Sequence, residues 1–189
     1  MSEEVHMVVA KKMEEAGPSV AVAMEIKIDQ YFDVVRGLIG DFAAKKGLMT
    51  VYITSSVPSS TLMGALQALE VNVHDLKFVD CVSHSLMSGI GADANTAYIE
   101  SPAMLENITL KVEYFSRISE GKKMLVVIDS FNSLILHNDL KMVSEFLSIL
   151  LNQLKLKEAY PVILTLPEQL KPEAKEMLGM VCDSIIPLG

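Results

Sequence analysis

The run KMLVVIDSFNSLILHND, residues 123–139, decides the fold. It opens on five apolar residues, Met124 to Ile128, and breaks at once into Asp129-Ser130. A strand with one face in water alternates apolar and polar side chains, whereas a continuous apolar run needs cover on both faces. This is therefore a buried strand of a parallel sheet, ending on polar residues at its carboxyl edge. Working outward, SVAVAMEI (19–26), LMTVYIT (48–54), LKFVDC (76–81), PVILTL (161–166) and DSIIPL (183–188) read as its neighbours. Pro161 is tolerable only as the first residue of its strand.

Helical spacing fills the intervals. Val5, Val8, Val9 and Met13 lie on one face of residues 2–16, and Gly17-Pro18 ends that helix. Tyr31, Val34, Val35, Leu38, Ile39 and Phe42 predict a second helix closed by Gly47, and residues 59–69 a third. Residues 103–119 carry Leu105, Ile108, Val112 and Phe115 on an inner face. Asn138 or Asp139 is expected to cap a helix whose apolar stripe runs from Leu140 to Leu154. Residues 168–180 form the last helix. Residues 82–102 show little periodicity and are expected to be a long mobile loop, with TAYI (96–99) as a short strand inside it. Strands alternating with helices give an α/β three-layer sandwich with a mostly parallel central sheet. The expected layout is an N-terminal helix over 1–18 and one domain over 19–189.

The composition narrows the function. The net charge is −8 and the pI about 5.0, with only two arginines, Arg36 and Arg117. Nucleic-acid affinity comes largely from Lys and Arg on phosphates, so no nucleic-acid partner is expected. Half the residues are hydrophobic, yet no apolar run approaches the roughly 20 residues of a membrane span. The acidic start, Met1-Ser2-Glu3-Glu4, is unlike a secretory leader. Cys81 and Cys182 form no spaced motif and read as buried thiols, which places the chain in the cytoplasm. The histidines, His6, His74, His84 and His137, show no metal spacing. Most of the twelve methionines fall at packing positions, leaving Met87 and Met104 available to a partner.

In an open parallel sheet, ligands bind beyond the carboxyl ends of the strands. The residues there are Lys27 and Asp29 after the first strand, Ser55 and Ser56 after the second, and Asp80 ending the third. Asp129 and Ser130 follow the fourth, and Thr165 closes the fifth. These eight form the candidate ligand crevice. Asp129 either holds a magnesium–water shell or, with Ser130, forms a turn cap; Asp80 is a partner for it or a satisfied loop residue.

The same segments carry a resemblance. LVVIDSFNSLILHND (125–139) resembles the Walker B strand and following turn of the RecA/KaiC-like ATPases, and VYITSS (51–56), KFVDCVS (77–83), ILTLPE (163–168) and CDSIIPL (182–188) match neighbouring strands in order. The loop AYIESPAMLENI (97–108) makes the likeness closest to archaeal KaiC-like proteins. The resemblance implies a RecA-like P-loop NTPase fold and an oligomer that binds ATP and magnesium.

The departures point elsewhere. A P-loop reads G-x-x-x-x-G-K-[ST], and its glycines let backbone N–H groups close around phosphate. Between Ile26 and Tyr31 this chain has only KIDQ, without a glycine. Ile28 resists the positive φ that a phosphate nest needs. Asp29 stands where phosphate would bind, and a carboxylate about 4 Å from phosphate costs on the order of 4 kcal/mol at an effective dielectric near 20. Ser55 and Ser56 occupy the place of the water-activating glutamate. Gly121-Lys122 is no displaced P-loop, since it precedes a strand instead of following one. The expected protein is a pseudo-ATPase with no cofactor and no catalytic residue, working as a homo-oligomer or in a hetero-complex with a related ATPase. The alternative is a protein that binds ATP or another small ligand in the crevice around Asp129, with Lys27 in place of the P-loop lysine.

Overall fold

The computed structural model describes residues 4–86 and 93–189. Its centre is a seven-stranded sheet with β5 (Met124–Asp129) in the middle. On one side of β5 lie β2 (Met49–Thr54), β3 (Leu76–Asp80) and β4 (Thr96–Tyr98); on the other lie β6 (Tyr160–Thr165), β1 (Val22–Glu25) and β7 (Ser184–Pro187). Every strand pair is parallel. The sheet's two edges are short: β4 has three residues, and β7 has four and ends on Pro187.

Side chains alternate across a strand, and that alternation splits the core in two. Met124, Val126 and Ile128 face α5 (Leu105–Arg117), α6 (Phe131–His137), α7 (Leu140–Leu156) and α8 (Pro172–Val181). Leu125 and Val127 face α1 (Val5–Ala16), α2 (Tyr31–Arg36) and α3 (Ser59–Ala68). All six residues of β5 are buried, as its unbroken apolar run requires.

Four expectations change in detail. The second helix is not uniform: a 3-10 turn over Ile28–Gln30 leads into α2, which opens into a π-helix over Gly37–Ala44. Gly37 and Gly40, both of low helical preference, fall in the widened stretch. Helix α1 crosses there, so close that a Cβ on Gly37 would lie 2.5 Å from the His6 carbonyl oxygen. The buried His6 ring pins the crossing, with Nδ1 at 2.7 Å from Asp41 and Nε2 at 2.5 Å from Glu4. Second, α6 stands where a turn was expected, because the Ser130 hydroxyl accepts from Ser133 N–H and caps it. Third, the 82–102 segment is not one loop. It holds α4 (Ser83–Leu86) besides the expected short strand, β4, while residues 87–92, including Met87, lie outside the described residues. Fourth, Asp139 precedes α7 without a side-chain capping bond, and the Asn138 amide donates instead to the carbonyls of Leu134 and Pro102.

Candidate functional site

The register decides where Asp129 points. It has the parity of Leu125 and Val127, so its carboxylate turns toward α2 and not toward α6. Across the ladder, Tyr52 pairs with Val127 and Thr54 with Asp129, which sets the Tyr52 phenol one step below the carboxylate on the same face. Tyr31, the first residue of α2, closes over it from above. The Tyr31 and Tyr52 hydroxyls both donate to Asp129 Oδ2, Tyr52 at 2.7 Å, and the two phenol oxygens lie 3.3 Å apart. Asp129 is 2% exposed. Burial pushes its carboxyl above the ordinary value of 3.8, against the pull of the two phenol bonds. Burial and the adjacent Asp129 push both tyrosines well above the ordinary 10.0, so both remain neutral donors.

A second layer is knitted around this cluster. The Ser55 hydroxyl donates to the Asp129 carbonyl at 2.9 Å and accepts from Ser130 N–H at 3.1 Å, across a cis Asp129–Ser130 peptide. Ser133 donates to the Ser55 carbonyl at 2.7 Å. Thr165 donates to Asn132 Oδ1 at 3.1 Å; that oxygen also accepts from Leu166 N–H, and the Asn132 amide donates to the Leu166 carbonyl. Asn132 thereby joins the head of α6 to the end of β6.

Of the eight sequence-derived crevice residues, Ser55, Ser56, Asp129, Ser130 and Thr165 line one cavity of about 490 Å³. Lys27 and Asp29 line its neighbour, of about 330 Å³, beside Glu25 and Glu168. The two cavities share Ile26, Ile28, Leu166 and Gln169. Asp80 belongs to neither and is no partner of Asp129. It is fully buried, and its oxygens accept from the N–H groups of Ser59, Val82 and Ser83 and from the Ser83 hydroxyl. Burial alone would raise its carboxyl, but the bonds from Ser59 and Ser83 bring it below 3.8. Asp80 is a structural clasp that ties α3 and α4 to the end of β3.

Cys81 is buried, and burial together with Asp80 pushes its thiol up to about 12. The thiol therefore stays protonated and unreactive. Cys182 is also pushed up to about 12, by burial first. Among the described residues no three His, Cys, Asp or Glu side chains gather as a metal site, so His84, Cys81 and Asp80 do not form one.

The residues present do not fit a magnesium triphosphate. None of residues 26–30 has positive φ, so their backbone makes no nest. Lys27 is exposed in the adjoining cavity and does not line the one holding Asp129. The Tyr31 and Tyr52 hydroxyls take Asp129 Oδ2, one of the two oxygens the carboxylate could offer a metal shell. Tyr31 entered the sequence reading only as a packing residue of its helix, and Tyr52 carried no role in it. The legible signal was a tyrosine inside the apolar strand VYIT, whose hydroxyl needs a buried partner.

Neither a family model nor a curated protein sequence matches the chain. Solved structures do. A KaiC-like protein of the hyperthermophilic archaeon Pyrococcus horikoshii superposes with a TM-score of 0.59 at 13% identity, covering 90% of this chain and 71% of that one. The flagellar accessory protein FlaH of Methanocaldococcus jannaschii superposes with a TM-score of 0.58 at 12% identity, covering 95% and 76%. No helix among the described residues is long and apolar enough to cross a membrane. At such identities the likeness is one of fold: the chain has an α/β fold with a parallel central sheet flanked by helices, matching a RecA-like P-loop NTPase architecture.

Proposed function

We propose that this chain is a RecA-fold protein that does not turn over nucleotide and acts by contact with protein, either its own copies or a related ATPase. The observation that carries the reading is the pair of tyrosine hydroxyls on Asp129. One oxygen of the carboxylate best placed to hold a catalytic metal is already committed to the fold, and the turn after β1, residues 26–30, carries no glycine. Hydrolysis also needs a base for the attacking water, and Ser55 and Ser56 cannot supply one at neutral pH.

The surface supports association. Leu110 and Tyr114, one helical turn apart on α5, are 55% and 54% exposed, and Ile118 continues the stripe just past its end. On α7, Met142, Ile149 and Leu156 recur every seven residues and are all exposed. Apolar side chains aligned in this way, rather than scattered, mark contact surfaces.

The test is a pair of measurements on the purified chain. Calorimetric titration with ATP and magnesium is expected to give no binding heat, and light scattering a mass that rises with concentration or with an added partner ATPase. Saturable, magnesium-dependent ATP binding that Asp129→Ala abolishes would overturn the reading.

A further inference from the structure

The cavity over Asp129 carries one carboxylate, with His137, Ser56 and Gln169 as further polar side chains on its wall. No lysine or arginine lines it. The polar groups of its floor are turned inward: Tyr31 donates to Asp129, Ser55 to the Asp129 carbonyl, Ser133 to Ser55, and Thr165 to Asn132. A phosphate entering here would find those donors already taken.

Asp129 is different. Both phenol bonds end on Oδ2, and Oδ1 has no protein donor among the described residues. No fully buried side-chain oxygen or nitrogen lacks a partner among those residues. Oδ1 of this nearly buried carboxylate therefore opens onto the cavity that Asp129 lines. The adjoining cavity adds Glu25, Asp29 and Glu168 against the single Lys27, so the approach carries more negative than positive charge. Two large apolar side chains stand open at the lips, Ile28 at 74% exposure and Leu136 at 80%, and both line the cavity. The volume, about 490 Å³, is that of a small-molecule site.

We infer that this cavity binds a small organic cation, an ammonium group on an apolar body, with Asp129 Oδ1 accepting from the ammonium and Ile28 and Leu136 covering the body. The inference is independent of whether the chain associates with protein. A cation reaching Oδ1 leaves the phenol bonds to Oδ2 in place, so the ligand need not disturb the fold.

The experiment compares n-hexylammonium with n-hexanol, which have the same apolar body, by calorimetric titration of the full chain at neutral pH. A charge-assisted bond exceeds a neutral one by enough to make the ammonium bind about tenfold more tightly. Chemical-shift changes are expected at the methyl groups of Ile28 and Leu136. In Asp129→Asn the two ligands should bind alike. Equal binding of both to the unaltered chain, binding of neither, or shifts confined to other residues would each overturn the assignment. If Asp129→Asn fails to fold, the ammonium-to-alcohol ratio and the shift map of the unaltered chain decide alone.

Discussion

At the residue scale, the molecule turns on what Asp129 does with its charge. A carboxyl raised by burial binds its proton more tightly in the folded than in the unfolded chain. This group's contribution is therefore most favourable below 3.8 and is lost as pH rises through the raised value. The charge is a cost that the two phenols only partly offset. Asp129→Asn keeps an acceptor for them and removes the charge; its unfolding free energy is expected to fall within about 1 kcal/mol of the unaltered chain at pH 7, or above it. Asp129→Leu leaves the two buried hydroxyls only each other, so at least one donor is stranded, and should lose about 1–3 kcal/mol. Urea denaturation of both variants checks the order, and an Asn variant weaker than the Leu variant would contradict it.

Residue types alone marked Asp129 and Ser55 as crevice residues, because both follow strands that the apolar pattern made plain. They did not distinguish Asp80 from Asp129. Both are strand-terminal aspartates, and they differ only in what reaches them, three backbone N–H groups in one case and two phenols in the other. Two of the Asp80 donors, Val82 and Ser83, are its neighbours in sequence, whereas both Asp129 partners come from distant segments. Tyr31 lies 98 positions from Asp129, and no local spacing announces that pair.

At the scale of elements, the strands were readable because burial on both faces writes itself as unbroken apolar runs. The helices α1, α5 and α7 were readable from their stripes. The π-helix was not, since Leu38, Ile39 and Phe42 fit the spacing of an ordinary α-helix. The short α4 and α6 were missed because fewer than two turns give no period to detect. The crossing of α1 over Gly37 yields a sharp expectation. Gly37→Ala sets a methyl against the backbone of His6 and the Cβ of Val9, at 2.5 to 2.9 Å, where no rotamer relieves it. It should cost about 1–3 kcal/mol and loosen α1. Hydrogen exchange is expected to rise in residues 5–16 before it rises in β5. Gly64→Ala, whose new methyl meets nothing within 4 Å, is the matched control and should leave exchange unchanged.

For the whole molecule, the two-sided sheet was legible from the order of elements, and the likeness to solved RecA-like structures extends over nine-tenths of the chain. What the chain touches was not legible, since an exposed leucine reads the same in sequence as a buried one. The α5 stripe makes the association reading concrete. Leu110→Lys with Tyr114→Lys changes only exposed positions and should leave the melting temperature nearly unchanged, surface substitutions being worth about 0.5 kcal/mol or less. The same double change is expected to lower the mass seen by light scattering at high concentration. An unchanged mass would move the contact to another face.

The sheet's borders bear on how such contacts form. A three-residue strand at one rim and a proline-terminated strand at the other offer an incoming chain few backbone groups to pair with. Lateral growth of the sheet, whether by strand exchange or by a captured extended peptide, is disfavoured at both ends. The proposed association would then run through the helical layers, where side chains and not main-chain ladders choose the companion.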